Sequence, residues 1–373
     1  MKVVAAIDSF KGCMTSMEAG NAVKKGILAA KPDAEVWLSP LADGGEGTVD
    51  ALIEGLGAEK IPVTVAGPLG EKVSCYYGFL EETKTAVMEM ASAAGITLVT
   101  KKDPLRASTY GVGEMIADAL KRGCKNFMIG IGGSATNDGG IGMLKALGFE
   151  FFDEDGNDVG EGAAALAKIE VIRTENKNPL LSGAKFQIAC DVKNPLCGKQ
   201  GATYIFGPQK GVTEEQKEQV DEAMRHYADV TKESLDCDFA DCEGAGAAGG
   251  LGYAFLSYLA GELIPGVELI LQATGLEEKM KNADVVVTGE GRLDAQTVMG
   301  KAPAGVAALA KKYNAKVIAF AGSVASEAKV CNRAGIDAFF PIVRGVTTLE
   351  EAMKKENAME NIAATAEQVF RLL

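Results

Sequence analysis

Six segments of the chain combine glycines with carboxylates, and each stands where an apolar, strand-like run stops. They are Asp8-Ser9-Phe10-Lys11-Gly12, Asp43-Gly44-Gly45-Glu46-Gly47-Thr48, the glycine-rich stretch 130–140, Asp191-Val192-Lys193-Asn194-Pro195, the stretch 243–250, and Gly289-Glu290-Gly291-Arg292-Leu293-Asp294-Ala295-Gln296-Thr297. Glycine lets backbone N–H groups approach an anion closely. Carboxylates beside such loops can hold Mg²⁺ or accept a proton. In open α/β sheets, ligands bind beyond the carboxyl ends of the strands. The pattern points to an enzyme that handles phosphates.

Each motif has a purely structural alternative. The stretch from Gly130 matches G-x-G-x-x-A, with Asp153 or Asp155 about 20 positions later, which is the dinucleotide fingerprint. A dinucleotide helix should start at once, but Thr136-Asn137-Asp138-Gly139-Gly140 are weak helix formers. A phosphate-cradling loop fits better, with Ser134 and Thr136 adding hydroxyl donors. The glycines of 244–250 either permit tight packing of the next helix or present N–H groups to an anion at its start. The segment 289–297 follows a very apolar strand and carries Glu290, Arg292, Asp294, Gln296 and Thr297, so it reads as functional rather than as a solvated loop. No G-x-x-x-x-G-K-[ST] occurs, which argues against a P-loop NTPase, and the protein-kinase H-R-D-L set is absent. The single histidine, His226, sits in a charged helical stretch and reads as a surface side chain.

These loops need strands and helices to position them. Residues 2–7, 35–38 and 61–65 read as strands, with helices at about 15–30 and 48–56 between them. Thr15-Ser16-Met17-Glu18 has capping-box form. The same grammar returns at 283–287, 316–320 and 338–342, with helices at 303–313, 325–334 and 357–372. Between them, 73–80 and 85–90 read as a hairpin, 126–131, 185–190 and 202–206 as strands, and 110–122, 216–235 and 251–263 as helices. The expected fold is α/β: a Rossmann-like parallel-sheet domain from 1–66 and 283–373, and an inserted α/β domain at 67–282. The active site is expected in the cleft between them.

Composition agrees. The chain has 373 residues, is 47% apolar and carries a net charge of −13, which argues against nucleic-acid or anionic-membrane binding as its main task. Eight cysteines without a C-x-x-C pair, beside one histidine, argue against a structural zinc site. No apolar run reaches membrane-spanning length, and a cytoplasmic protein with reduced thiols is expected.

Taken in order along nearly the whole chain, the glycine-rich segments, with Phe206-Gly207-Pro208-Gln209-Lys210-Gly211, resemble those of the bacterial type I glycerate kinases. The resemblance implies ATP-dependent, Mg²⁺-assisted phosphorylation of D-glycerate, giving 2-phosphoglycerate, with 3-phosphoglycerate as the alternative product. It implies small-molecule partners, D-glycerate and ATP, and a homodimer as the candidate assembly. An NAD-dependent oxidoreductase acting on a hydroxy acid and a non-catalytic sugar-acid sensor are the readings from other classes. Phosphoryl transfer needs positioning and charge cancellation. Lys11, Arg292 and Lys301 are the cationic candidates, supported by Gly132, Gly133, Ser134, Thr136 and Asn137 of one loop and Gly246 and Gly249 of another. Asp191 and Glu290 are candidate Mg²⁺ ligands. Arg292 could instead grip the glycerate carboxylate. Asp294, then Asp43, is the candidate base for the attacking hydroxyl.

Overall fold

The computed structural model describes residues 1–42 and 48–373. In chain order its strands are β1 (Lys2–Ile7), β2 (Glu35–Pro40), β3 (Glu59–Ala66), β4 (Lys72–Leu80), β5 (Thr85–Glu89), β6 (Asn126–Gly130), β7 (Glu150–Phe152), β8 (Val171–Arg173), β9 (Lys185–Ala189), β10 (Glu262–Ile264), β11 (Val285–Leu293), β12 (Lys316–Val324) and β13 (Ala338–Pro341). Two compact units result, one from 1–43, 50–57 and 267–373, the other from 44–49 and 58–266. Among the described residues no helix is long and apolar enough to cross a membrane.

The first unit is a five-stranded sheet in the order β13-β12-β11-β1-β2, and every pairing is parallel. Parallel strands covered on both faces are apolar throughout rather than alternating. Val3, Val4, Ala5, Ala6 and Ile7 of β1 and Val285, Val286 and Val287 of β11 are accordingly all buried. The helix Ser16–Ala30 starts with the expected capping box: Thr15 Oγ1 accepts from the Glu18 N–H at 3.2 Å, and the Thr15 N–H donates to Glu18 Oε2 at 2.9 Å. It packs on the closing helix Lys355–Arg371 through Gly26, where a Cβ would lie 2.1 Å from the Ala363 carbonyl oxygen. From β1 the chain moves outward to β2; from β11 it moves outward the opposite way, to β12 and β13. The reversal falls between β1 and β11, so their carboxyl ends form the crevice where open α/β sheets bind ligands.

The second unit has a six-stranded sheet in the order β10-β9-β6-β5-β4-β3 and a separate β7–β8 hairpin. β3, β4 and β5 form an antiparallel meander, and β5, β6, β9 and β10 run parallel. Its core includes the stacked rings of Phe127 and Phe186, 4.7 Å between centroids.

Several expectations are corrected here. β3 does not extend the first unit's parallel sheet; it pairs antiparallel with β4 from Glu59↔Phe79 to Ala66↔Lys72, which moves the first division of the chain ahead of it. The second division falls at 266/267 rather than near 283. Residues 202–206 lie in a helix, Ala202–Lys210, because packing against the helix Lys217–Leu235 overrides the β-propensity of Thr-Tyr-Ile-Phe. The helix expected over 251–263 stops at Leu259, where Ala260 turns left-handed (φ 48°), and Glu262–Ile264 then pairs with β9. The helix expected over 325–334 is a 3₁₀ turn, Ser326–Lys329, followed by a short α-helix, Val330–Arg333.

Candidate active site

At the β1/β11 crevice the first unit buries two carboxylates. Asp8 follows β1, is 7% exposed and accepts from the Ser9 N–H at 2.7 Å, while its own N–H donates to the Gly289 carbonyl at 2.9 Å. Glu290 lies on β11 and is 8% exposed. Its Oε1 accepts from Thr297 Oγ1 at 2.6 Å and its Oε2 lies 3.5 Å from Lys301 Nζ. Burial pushes the Glu290 carboxyl above its ordinary value, and Thr297 and Lys301 oppose that shift. The fully buried Thr297 hydroxyl also accepts from the Asp294 N–H at 3.1 Å. Asp294 in turn caps the 3₁₀ turn Ala295–Val298, with Oδ1 accepting from the Gln296 N–H at 2.9 Å. Arg292 is exposed, with Nε 3.6 Å from Asp294 Oδ2. Lys301 stands at the N-terminus of the helix Ala302–Lys311.

A cavity of about 550 Å³ opens over these groups. Asp8, Ser9, Lys11, Glu290, Arg292, Lys301 and Ser323 line it from the ends of β1, β11 and β12. Ile342, Val343, Leu349, Ala352 and Met353, which follow β13, give it an apolar wall. Lys11, Glu290, Arg292 and Lys301 are thus brought to one cavity, whereas Asp294 lies outside its lining, beside Arg292 and capping the adjacent 3₁₀ turn.

The remaining candidates belong to the second unit, except Asp43, which lies outside the described residues. Gly132 and Gly133 are exposed after β6, but Ser134 is 6% exposed and Thr136, Asn137 and Asp138 are fully buried. Asn137 Nδ2 donates to Thr203 Oγ1 at 3.0 Å. The Asp138 carboxylate accepts from Thr109 N–H and Oγ1, both at 2.8 Å, and from the N–H groups of Gly140 and Gly142 at 3.2 and 3.3 Å. Buried Lys210 donates to the Thr136 carbonyl at 2.7 Å; burial drives its pKa down to about 7, and Asp138 partly offsets this. No helix starts until Ile141, so the G-x-G-x-x-A stretch lacks the context of a dinucleotide site. Gly246 and Gly249 are buried where a Cβ would meet the carbonyl oxygens of Pro195 and Thr136, each at 2.2 Å, which gives both glycines a packing reason. Asp191 is exposed beyond β9, and its Oδ1 accepts from the Gly266 N–H at 3.0 Å. The two candidate Mg²⁺ ligands, Asp191 and Glu290, therefore lie in different units. Among the described residues no group of three or more His, Cys, Asp or Glu side chains is gathered to hold a metal.

The model of the glycerate kinase family matches residues 3–373. The chain belongs to the glycerate kinase family. It is 44% identical to a Bacillus subtilis glycerate kinase, covering 99% of this chain and 97% of that one. It is 45% identical to an Escherichia coli glycerate 2-kinase, covering 98% of each. A crystal structure from Salmonella typhimurium LT2, designated a candidate glycerate kinase 2, superimposes with a TM-score of 0.91 at 43% identity, covering 99% of this chain and 97% of that one. The chain is accordingly a kinase, and the mixed α/β architecture is that of its family.

Asp8 and Thr297 stand in the segments singled out from the sequence, yet neither was given a role there. The available signal for Asp8 was its place directly after the apolar run 2–7, which becomes a central strand. For Thr297 it was the spacing Asp294-x-x-Thr297, a capping box.

The Lys210 geometry has a pH signature. Between pH 7 and about 10.4 the unfolded lysine holds a proton that the native amine has released, so stability rises with pH. Urea unfolding at pH 7 and pH 9 should show this rise in the wild-type protein and a smaller rise in Lys210→Met. Equal changes in both proteins would show that Lys210 is not the group responsible.

Proposed function

We propose that the chain transfers the γ-phosphoryl group of ATP to the 2-hydroxyl of D-glycerate, giving 2-phosphoglycerate and ADP. One observation carries this reading: Asp8 and Glu290, both buried, share a single cavity with Lys11, Arg292 and Lys301 at the reversal point of a parallel sheet. The names of the relatives, glycerate kinase and glycerate 2-kinase, support the acceptor and the hydroxyl.

The residues divide the work as follows. Lys11 and Lys301 offset charge on the phosphates, which is most of what phosphoryl transfer asks of a protein. Arg292, which is exposed, suits the glycerate carboxylate through its planar fork. Asp294 takes the proton of the attacking hydroxyl as the new oxygen–phosphorus bond forms and the bond to the ADP oxygen breaks. Its backbone is fixed by Thr297, and Oδ2 is left facing Arg292. Asp8 and Glu290 suit Mg²⁺, since that ion takes one or two carboxylates and fills its remaining positions with water and phosphate oxygens. When bound, Mg²⁺ would neutralise phosphate charge.

A phosphorus NMR spectrum of protein, ATP, Mg²⁺ and D-glycerate should show ADP and a phosphomonoester split into a doublet by the single C2 proton, and EDTA should abolish both. No phosphoester, or a triplet from a C3 methylene, would contradict the assignment.

Asp294→Asn keeps the acceptor that caps the 3₁₀ turn and removes the charge. It should lower kcat by ~10²–10⁴ while leaving the ATP dissociation constant measured by calorimetry unchanged. A kcat near the wild-type value would remove Asp294 from the proton transfer.

A further inference from the structure

The cavity of the first unit is larger and more apolar than its acceptor chemistry requires. About 550 Å³ falls in the ~300–1,000 Å³ range of pockets that enclose a drug-sized ligand. Glycerate has three carbons, two hydroxyls and a carboxylate, so it has no apolar face to set against Ile342, Val343, Leu349, Ala352 and Met353. Ile342 belongs to the core, but the others are not simply core. Leu349 is 76% exposed, and Val343 and Met353 are more than a third exposed, although they line a concave surface. Among the reactants, the one flat, largely apolar group is the adenine of ATP.

Asn361 adds a polar element to the same lining. It projects from the helix Lys355–Arg371, and among the described residues its carboxamide has no hydrogen-bond partner; its backbone carbonyl accepts from Thr365 Oγ1. A carboxamide carries one acceptor and two donors and can pair bidentately with adenine N6 and N7, whereas guanine offers acceptors at O6 and N7.

Resting on the kinase reading above, we propose that the wall after β13 is the adenine subsite, with Asn361 reading the base edge. The triphosphate then runs along the sheet ends toward Lys301, Lys11 and the β1/β11 carboxylates. The nucleotide thus binds on the first unit.

The test compares ATP, GTP and D-glycerate in the wild-type protein, Ala352→Phe and Asn361→Leu. Ala352 is half-buried on a short surface helix, Leu349–Ala352, so a phenylalanine there fills the cavity without entering the core. Ala352→Phe should raise the KM for ATP about tenfold or more and leave the KM for glycerate unchanged. Asn361→Leu should shrink the ATP-over-GTP preference in kcat/KM by about tenfold. Calorimetric titration of the same proteins with ATP and GTP, without glycerate, reports the subsite even if no phosphoglycerate forms, so the two readings can fail separately. Unchanged ATP affinity in both variants, or a raised KM for glycerate alone, would overturn the proposal.

Discussion

A carboxylate at the end of a buried strand is costly unless donors or cations meet it. Glu290 is buried in the C-terminal half of β11, and Asp8 directly follows the neighbouring central strand β1. Much of the surrounding architecture answers this constraint. Thr297 donates to Glu290 and accepts from the Asp294 N–H, so one hydroxyl fixes both the buried carboxylate and the backbone of the residue assigned as base. Lys301 reaches Glu290 from the N-terminus of the next helix. The arrangement places cations and carboxylates around an open cavity, which is what a phosphate with its counter-ion requires.

The second unit solves a similar problem in the opposite direction. It also buries charge, Asp138 and Lys210, but directs it inward. Asp138 is met by donors from Thr109, Gly140 and Gly142, and Lys210 by the Thr136 carbonyl. The effect is to fix the loop after β6 rather than to present its hydroxyls. What that loop offers outward is backbone, at Gly132 and Gly133.

Much of this was legible in the sequence where local signals and tertiary role agree. The apolar runs of β1 and β11, the Thr15–Glu18 capping box and the β4–β5 hairpin are of this kind. β3 was misplaced because its sequence does not state which partner its edges will find, and antiparallel pairing with β4 decided its unit. Residues 202–206 have strand propensity but fold as helix under packing. The site was legible as a set of loops and not as side-chain directions. Left-handed glycines at 133, 139 and 140 redirect the chain, and they turn Thr136 and Asn137 inward in a way that spacing does not reveal. Glu290 was expected in a loop after a strand at 283–287, but β11 runs on to Leu293 and holds it within the sheet, paired with Ala321.

The central claim is that phosphate is handled at the β1/β11 reversal of the first unit. Hydrogen–deuterium exchange with a non-hydrolysable ATP analogue and Mg²⁺ tests it most directly. New protection is expected in peptides covering residues 8–13, 289–301 and 342–353, with little change at 134–138, which belong to the second unit. Protection confined to 130–140 and 244–250 would contradict it.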